Sequence, residues 1–344
     1  MINLQTRYLG LTLRNPIIAA SCGLTNTIPN IKKLAENGIG AIVIKSMFEE
    51  QINIETERYI MDGKGNVRTF IDAPDNLTSS RIYDYDEAYS YIYDYAQSNT
   101  LDKYLSFISE AKKAVDVPII VSINCVSSYN WYSFAKKIQE AGADAIELNI
   151  YILPSDFRRT AEDDEKVYYD IIKEVKKYVT IPVAVKTGYY FTSLANSVQK
   201  LSESGIDGLV LFNRPYNTDI DLDTLSMAPG RIYSSEIEYA HTLRWISILS
   251  GRLKCDLSAT TGIHDYQSAL KMLIAGADTV QVASVFYKRG FEVIPEFLEN
   301  ISKWMKSHNF ESIDDFKGKL SKSNLENPAA LERVQFMKFY SGIE

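Results

Sequence analysis

The chain has 344 residues, 46% hydrophobic and 24% charged, which is a globular composition sufficient for one large domain or two ordinary ones. The net charge of -7, without any basic block, argues against a nucleic-acid partner. No apolar run reaches the roughly 18 residues of a membrane helix, and the N-terminus lacks the apolar stretch of a signal peptide. Three widely spaced cysteines (Cys22, Cys125 and Cys255) predict free thiols in a reducing cytoplasm.

Eight short apolar runs follow one another along the chain, and each is predicted to be a buried strand. The runs cover residues 16–20, 41–45, 118–124, 145–149, 181–186, 207–213, 255–259 and 278–283. Helical patterns fill most gaps, for example at 130–141, 166–178 and 266–274. A repeated turn precedes four of the strands and contains Gly38, Gly142, Gly205 or Gly276. Glycine at this place suits the left-handed residue that ends a helix.

Strict alternation of strands and helices predicts a parallel sheet. Eight such units favour an α/β fold of the closed (β/α)8 type, a TIM barrel, formed by residues 1–344 as one domain. The alternative is an open doubly wound sheet, which needs a Gly-rich phosphate turn after the first strand. The segment AASCGLTN has only one glycine and lacks that fingerprint.

Two insertions interrupt the alternation, at residues 46–100 and 213–234. Insertions at the C-terminal ends of barrel strands commonly build substrate lids. The first insertion contains the tyrosine-rich stretch RIYDYDEAYSYIYDYA, which is predicted to form a solvated or subunit-facing surface, with direct substrate stacking as the alternative. The tail at 309–344 is expected to be a helical appendage.

Four of the predicted strands end on a polar residue. These residues are Lys45, Asn149, Lys186 and Asn213. Since ligands of parallel sheets lie beyond the carboxyl ends of the strands, the four side chains are predicted to surround one ligand. Two ammonium groups need anionic or electron-rich company, and the amides add donors and acceptors. The set fits a planar heterocycle and not a metal ion, which would require carboxylates or histidines.

Two turns of small residues predict a phosphate site. ATTG at 259–262 follows the seventh strand and ASVF at 283–286 follows the eighth, where (β/α)8 barrels commonly hold a phosphate. The donors would come from Thr261, Gly262, Ala283 and Ser284. The alternative is that the Thr and Ser side chains only cap the following helices. A heterocycle with a phosphate tail suggests FMN.

These motifs resemble those of the dihydroorotate dehydrogenase family, and of its class 1 branch in particular. The opening segment LGLTLRNPIIAAS, IKS at 44–46, ELN at 147–149, VAVK at 183–186 and the two phosphate turns follow in the family's order. FESIDDFKGKL at 310–320 is similar to the family's C-terminal motif. The resemblance implies a (β/α)8 barrel with FMN at the strand C-termini, oxidation of dihydroorotate to orotate, and a homodimer.

The resemblance also implies roles for individual residues. FMN contacts would come from Ala20, Ser21, Lys45, Ser46, Asn149, Lys186, Thr261, Gly262, Ala283 and Ser284. Lys45, Asn149 and Asn213 would face the substrate. Lys186 would stabilise negative charge on the reduced flavin. Arg214, where the family has Ser, could bind a substrate carboxylate through two N–H groups or pair with an acidic neighbour.

The chain departs from the family at the catalytic base. Ile152 stands where class 1 has a cysteine, and an alkyl side chain cannot move a proton. The family's substrate loop N-S-M-G-L-P-N is absent from 46–100. Replacement bases could be Cys125, Ser155, Asp156 or Tyr151; alternatively, Cys125 is a core residue and the serine and aspartate cap the next helix.

We therefore predict an FMN-dependent oxidoreductase acting on dihydroorotate or a related cyclic substrate, with Lys45, Cys125 and Ser155 as candidate catalytic residues. One alternative is a non-redox aldolase or synthase that forms a Schiff base to a phosphorylated substrate through Lys45 or Lys186. Another is a barrel that binds a flavin or metabolite without catalysis. The partner is expected to be a small molecule and not a membrane, and the sequence does not identify an electron acceptor.

Overall fold

A computed structural model describes residues 2–48, 101–124, 131–215, 217–325 and 331. Eight parallel strands close into a barrel, with each strand paired to the next along the chain and β8 paired to β1. The strands are β1 (Ile17–Ala19), β2 (Ala41–Phe48), β3 (Ile119–Asn124), β4 (Ala145–Ile150), β5 (Val183–Thr187), β6 (Gly208–Leu211), β7 (Asp256–Thr260) and β8 (Thr279–Val282). The predicted (β/α)8 barrel is confirmed, and the open sheet is excluded.

Helices follow the strands around the outside of the barrel. They are α1 (Ile28–Glu36), α2 (residues 101–114), α3 (Trp131–Glu140), α4 (Ala161–Tyr178), α5 (Leu194–Ser202), α6 (Tyr239–Leu249), α7 (Tyr266–Ala275), α8 (Ser284–Arg289) and α9 (Val293–Ser307). Within the part of the chain that the structure describes, none of the helices has the length and apolar character needed to span a bilayer.

Helix α4 begins five residues before its predicted start because a capping box stabilises its first turn. The Thr160 hydroxyl accepts the Asp163 N–H at 3.2 Å, and the Asp163 carboxylate accepts the Thr160 N–H at 2.9 Å. Thr160 is therefore the N-cap, and neither Ser155 nor Asp156 caps this helix.

The turns before the strands fix the strand register. Gly38, Gly142, Gly205 and Gly276 have φ values of +90°, +97°, +89° and +114°, which confirms the predicted left-handed turns. In three of these turns an aspartate, here called a turn aspartate, accepts a backbone N–H from the first or second residue of the preceding strand and pairs with a lysine. The three sets are Asp144 with Ile119 and Lys112, Asp207 with Val183 and Lys176, and Asp278 with Leu257 and Lys317.

The barrel has an outer and an inner apolar core. The outer core packs strand residues against the helices. The inner core contains inward-facing strand residues such as Ile18, Val43 and Val210, together with Tyr8 and Leu9. The last two belong to an N-terminal hairpin, in which residues 6–8 pair with 11–13, and the Leu9 N–H bonds to the carboxylate at the start of β7 at 2.7 Å. The hairpin thus closes the N-terminal end of the barrel, so a ligand must enter from the opposite end.

The two insertions and the tail are described only in part. Residues 49–100, with the tyrosine-rich stretch, and Cys125 lie outside the described residues. The second insertion contains an exposed hairpin, Thr218–Asp221 paired with Ser226–Pro229. The prediction of a helical appendage is wrong for residues 309–325, which form one short 3-10 turn. These residues then pack against the end of α7 through backbone hydrogen bonds, such as Gly318 N to Leu273 O at 3.0 Å.

Candidate active site

A cavity of about 160 Å³ lies at the C-terminal end of the barrel, where the polar strand ends were predicted to meet. It is lined by Ala20, Ser21, Lys186, Phe212, Asn213, Arg214, Ser234, Thr260, Thr261, Gly262, Ile263, Gln281, Val282, Ala283 and Ser284. Among these described residues there are two cations and no carboxylate. The cavity is therefore suited to an anionic or electron-rich ligand.

A buried polar cluster inside the barrel holds Lys186 at this cavity. Lys186 Nζ lies 3.5 Å from Gln281 Oε1 and 3.8 Å from Glu147 Oε1, and Gln281 Nε2 donates to Glu147 Oε2 at 2.7 Å. Glu147 is only 1% exposed, and its Oε1 has no hydrogen-bond partner within the described ranges. A buried carboxylate requires a cation close by, and Lys186 is the cation of this cluster. The attraction between the two groups therefore holds the Lys186 ammonium at the cavity.

The predicted strand ends meet only partly. Asn213 Nδ2 donates to Asn149 Oδ1 at 2.6 Å, so these two amides lie together. Lys45 is half-buried but is not among the residues that line the cavity, and its carbonyl accepts a hydrogen bond from the Tyr104 hydroxyl at 3.0 Å. Three of the four residues therefore lie at or next to the cavity, and the contact of the Lys45 side chain with a ligand stays a prediction.

A chain of serine hydroxyls leads from the cavity into the barrel. Ser21 Oγ accepts the Ser46 N–H at 2.8 Å and lies 3.0 Å from Ser46 Oγ. Ser46 Oγ in turn lies 2.7 Å from the Oγ of Ser122, which is fully buried. Ser46 thus reaches the cavity through Ser21, and Ala20 lines the cavity directly.

The two predicted phosphate turns line the same cavity. Thr261 and Gly262 have φ values of +78° and +75°, and a side chain at Gly262 would place its Cβ 2.2 Å from the Tyr239 nitrogen. The Thr261 hydroxyl donates to the Phe212 carbonyl at 3.1 Å, so it does not cap α7, whose N-cap is Asp265. The tight β7 turn therefore depends on glycine at this position.

The second turn begins α8 at Ser284, after Ala283, and shows no side-chain cap. The alternative that these Thr and Ser side chains only cap helices is thus contradicted. The first N–H groups of a helix have no partner inside it, so this turn offers backbone donors to an anion.

Arg214 is engaged by protein groups in this structure. Its Nε donates to Glu238 Oε2 at 2.7 Å, and its Nη1 donates to the carbonyls of Arg231 and Ile232 at 3.0 Å each. Of the two predicted roles, the described contacts match pairing with an acidic neighbour. Arg214 also lines the cavity, so its contact with a substrate carboxylate stays a prediction.

Of the candidate bases, Tyr151, Ser155 and Asp156 are described and are not among the residues that line the cavity. Ser155 is exposed, and its backbone N–H bonds to the Leu153 carbonyl at 2.8 Å. Asp156 is exposed and pairs with Arg158 at 2.9 Å. Burial, together with the neighbouring Tyr190, raises the pKa of Tyr151 to about 12, so its phenol is a poor proton acceptor at neutral pH.

Ile152 lines a second cavity of about 320 Å³, which it shares with Tyr168 and Tyr189. The position that holds the base in the family therefore faces a different space from the one beside Lys186.

Sequence reasoning missed three polar residues of the site: Glu147, Ser234 and Gln281. A signal was present for Glu147 and Gln281, since each is a long polar side chain between two apolar residues of a buried strand. Ser234 follows an exposed hairpin, and no periodic pattern in the sequence places it at the cavity. Within the described ranges, no group of three or more His, Cys, Asp or Glu side chains could hold a metal ion.

Comparison with known proteins agrees with this geometry. The dihydroorotate dehydrogenase family model matches residues 94–305, which is more than half of the chain. The catalytic subunit of dihydroorotate dehydrogenase B (NAD(+)) from Thermoplasma acidophilum is 25% identical over 324 residues, covering 92% of this chain and 99% of the relative. The corresponding subunit from Pyrococcus furiosus is 27% identical over 330 residues, covering 92% and 98%. The chain therefore belongs to the dihydroorotate dehydrogenase family and is an oxidoreductase that acts on CH–CH groups.

Proposed function

We propose that this protein is an FMN-dependent dehydrogenase that oxidises the CH–CH bond of dihydroorotate or a closely related cyclic amide. One observation carries the proposal: Lys186, Asn213 and both phosphate turns line the same cavity at the C-terminal end of the barrel. When bound, FMN supplies the acceptor for the hydride that leaves the substrate.

The residues present fit such a cofactor. Thr261, Gly262, Ala283 and Ser284 would hold the phosphate through N–H and hydroxyl donors. Ala20, Ser21, Ser46 and Lys186 would contact the ring system, and the buried ammonium would stabilise negative charge there. Asn149, Asn213 and Lys45 would orient the substrate, and Asn149 would also touch the cofactor. Arg214 would add a carboxylate contact if it leaves Glu238.

The proton acceptor is proposed among Lys45, Cys125 and Ser155. None of the described residues that line the cavity is a carboxylate, a histidine or a cysteine. The base must therefore come from a residue that approaches from the rim or from beyond the described ranges. A pH–rate profile for each of Lys45→Ala, Cys125→Ala and Ser155→Ala identifies it, because removal of the base abolishes the ionisation that limits the rate.

The electrons must leave through a separate acceptor. The chain contains three cysteines, too few for a four-cysteine iron–sulfur cluster. Because the relatives are named as catalytic subunits of NAD(+)-linked enzymes, we propose that a second polypeptide takes up the electrons here as well. A homodimer and a cytoplasmic location stay predictions.

A flavin spectrum tests the proposal. The purified protein is expected to be yellow, to release FMN on denaturation, and to lose its flavin absorbance when dihydroorotate or another reduced pyrimidine is added without oxygen. Lys186→Met is expected to bind less flavin. Colourless protein that takes up no added FMN would contradict the proposal, and borohydride trapping of a phosphorylated substrate on lysine would support the Schiff-base alternative.

A further inference from the structure

Ser234 connects α8 to the turn before α7 at the end of the cavity that carries the two predicted phosphate turns. Its N–H donates to Ser284 Oγ at 3.1 Å, and its carbonyl accepts from Lys288 Nζ at 3.0 Å. Its hydroxyl lies 2.9 Å from His264 Nε2. Ser234 lines the cavity. Ser234 and His264 are each only 5% exposed. The hydroxyl therefore lies between a buried imidazole and the space that a phosphate would fill.

The surroundings of His264 come from three elements and favour the neutral ring. Burial, followed by the Lys288 cation on α8, lowers the pKa of His264 below its ordinary value. Glu236, before α6, a hydrogen bond with the Ser234 backbone, and Asp265, at the start of α7, each raise the pKa of His264 but do not cancel the effect. The imidazole is thus uncharged near neutral pH in the protein without a ligand.

We propose that His264 is a proton-linked positioning residue for the cofactor phosphate: an anion beside Ser234 fixes His264 in its doubly protonated form, so that one proton is taken up with the ligand. The identity of the ligand as FMN rests on the proposed function.

Hydrogen-bond direction explains the coupling. A neutral His264 can accept the Ser234 hydroxyl hydrogen at Nε2, which turns that hydrogen away from the cavity. A protonated His264 must donate from Nε2, so Ser234 Oγ becomes the acceptor and its hydrogen is free to point to a phosphate oxygen. The added positive charge lies next to the Lys288 cation and is favourable only when an anion is present. The proton comes from solvent and no covalent bond to the ligand forms.

The sign of the pH dependence follows from this linkage. The pKa of His264 is lowered without ligand and rises when the anion binds, so FMN affinity increases as the pH falls toward the ligand-free pKa. A rise of one pKa unit corresponds to about a tenfold gain in affinity. Riboflavin has no phosphate and should show no such gain.

The chain has only three histidines, which makes a direct test practical. Imidazole proton resonances of the full chain are titrated with and without FMN, and they are assigned with His241→Gln and His308→Gln. Proton uptake on binding is measured calorimetrically in buffers of different ionisation enthalpy. His264→Gln is the matched variant, since it keeps a polar partner for Ser234 without titrating between pH 5 and 8. Because the FMN phosphate itself titrates near pH 6, the difference between wild type and this variant isolates the histidine.

Three results decide the proposal. We expect the His264 pKa to rise with FMN but not with riboflavin, and the additional FMN affinity at low pH to disappear in His264→Gln. An unchanged His264 pKa in a protein that binds FMN would overturn the inference while leaving the proposed function intact. If neither flavin binds, the proposed function fails, and titration with inorganic phosphate decides alone: a raised His264 pKa supports the inference and an unchanged one overturns it.

Discussion

Asn213 donates a hydrogen bond to Asn149 Oδ1 across 2.6 Å and thereby joins the end of β6 to the end of β4. The two strands are not neighbours, because β5 lies between them and carries Lys186 near its own end. Each amide sets the orientation of the other. Asn149 Nδ2 and Asn213 Oδ1 take no part in this bond, so we predict that they offer a ligand one donor group and one acceptor.

Asn213→Ala is expected to raise the substrate KM by about tenfold or more, because one amide is lost and the other is no longer oriented. Flavin content should remain unchanged. Asn217→Ala, at an exposed position nearby, is the control and should behave like wild type. Steady-state kinetics and the flavin-to-protein absorbance ratio measure both effects. A normal KM in Asn213→Ala would show that the pair does not contact the substrate.

Lys186→Met should lower the free energy of unfolding by about 3–5 kcal/mol, because it leaves the buried Glu147 carboxylate without its cation. Adding Glu147→Gln removes that charge and should restore much of the stability while leaving flavin binding impaired. Urea denaturation of flavin-free protein measures the first effect, and a flavin titration measures the second. A double variant as unstable as Lys186→Met alone would mean that the ion pair does not stabilise the barrel.

Ile152→Cys is expected to change the rate of dihydroorotate oxidation by no more than about twofold, well below the usual contribution of a general base. The reason is that Ile152 lines the second cavity and not the one beside Lys186. Ile152→Ala removes similar volume without adding a thiol and is the matched control. A large gain in the cysteine variant alone would show that this position reaches the substrate during turnover.

Cys255 should resist alkylation in the folded protein at pH 8. Burial, with the neighbouring Asp256 carboxylate, raises the pKa of its thiol to about 12, so the reactive thiolate forms only in strongly alkaline solution. Iodoacetamide labelling followed by peptide mass spectrometry, with urea-unfolded protein as the control, provides the measurement. Equal labelling of Cys255 in both states would contradict the expected protection.

The barrel could be predicted because the sequence repeats one unit: a buried strand, a polar residue at its end, and a helix that ends on glycine. Lys186, Asn213 and the two phosphate turns could be placed because topology alone brings strand ends together. Ser234 and His264 could not, since their contact depends on the path of an insertion that has no periodic pattern. The Lys186–Glu147 pair was also missed, because a polar residue within a strand does not reveal which inward-facing neighbour its side chain meets.

The turn aspartates Asp144, Asp207 and Asp278 secure the strands at the N-terminal end of the barrel, far from the cavity. These hydrogen bonds do not involve the loops at the opposite end of the barrel. Isoleucine could therefore replace the catalytic base at position 152, and a long segment could be inserted after β2, while the strand ends kept their spacing. A chain of this kind is free to exchange its substrate in evolution while it retains the means to hold its cofactor.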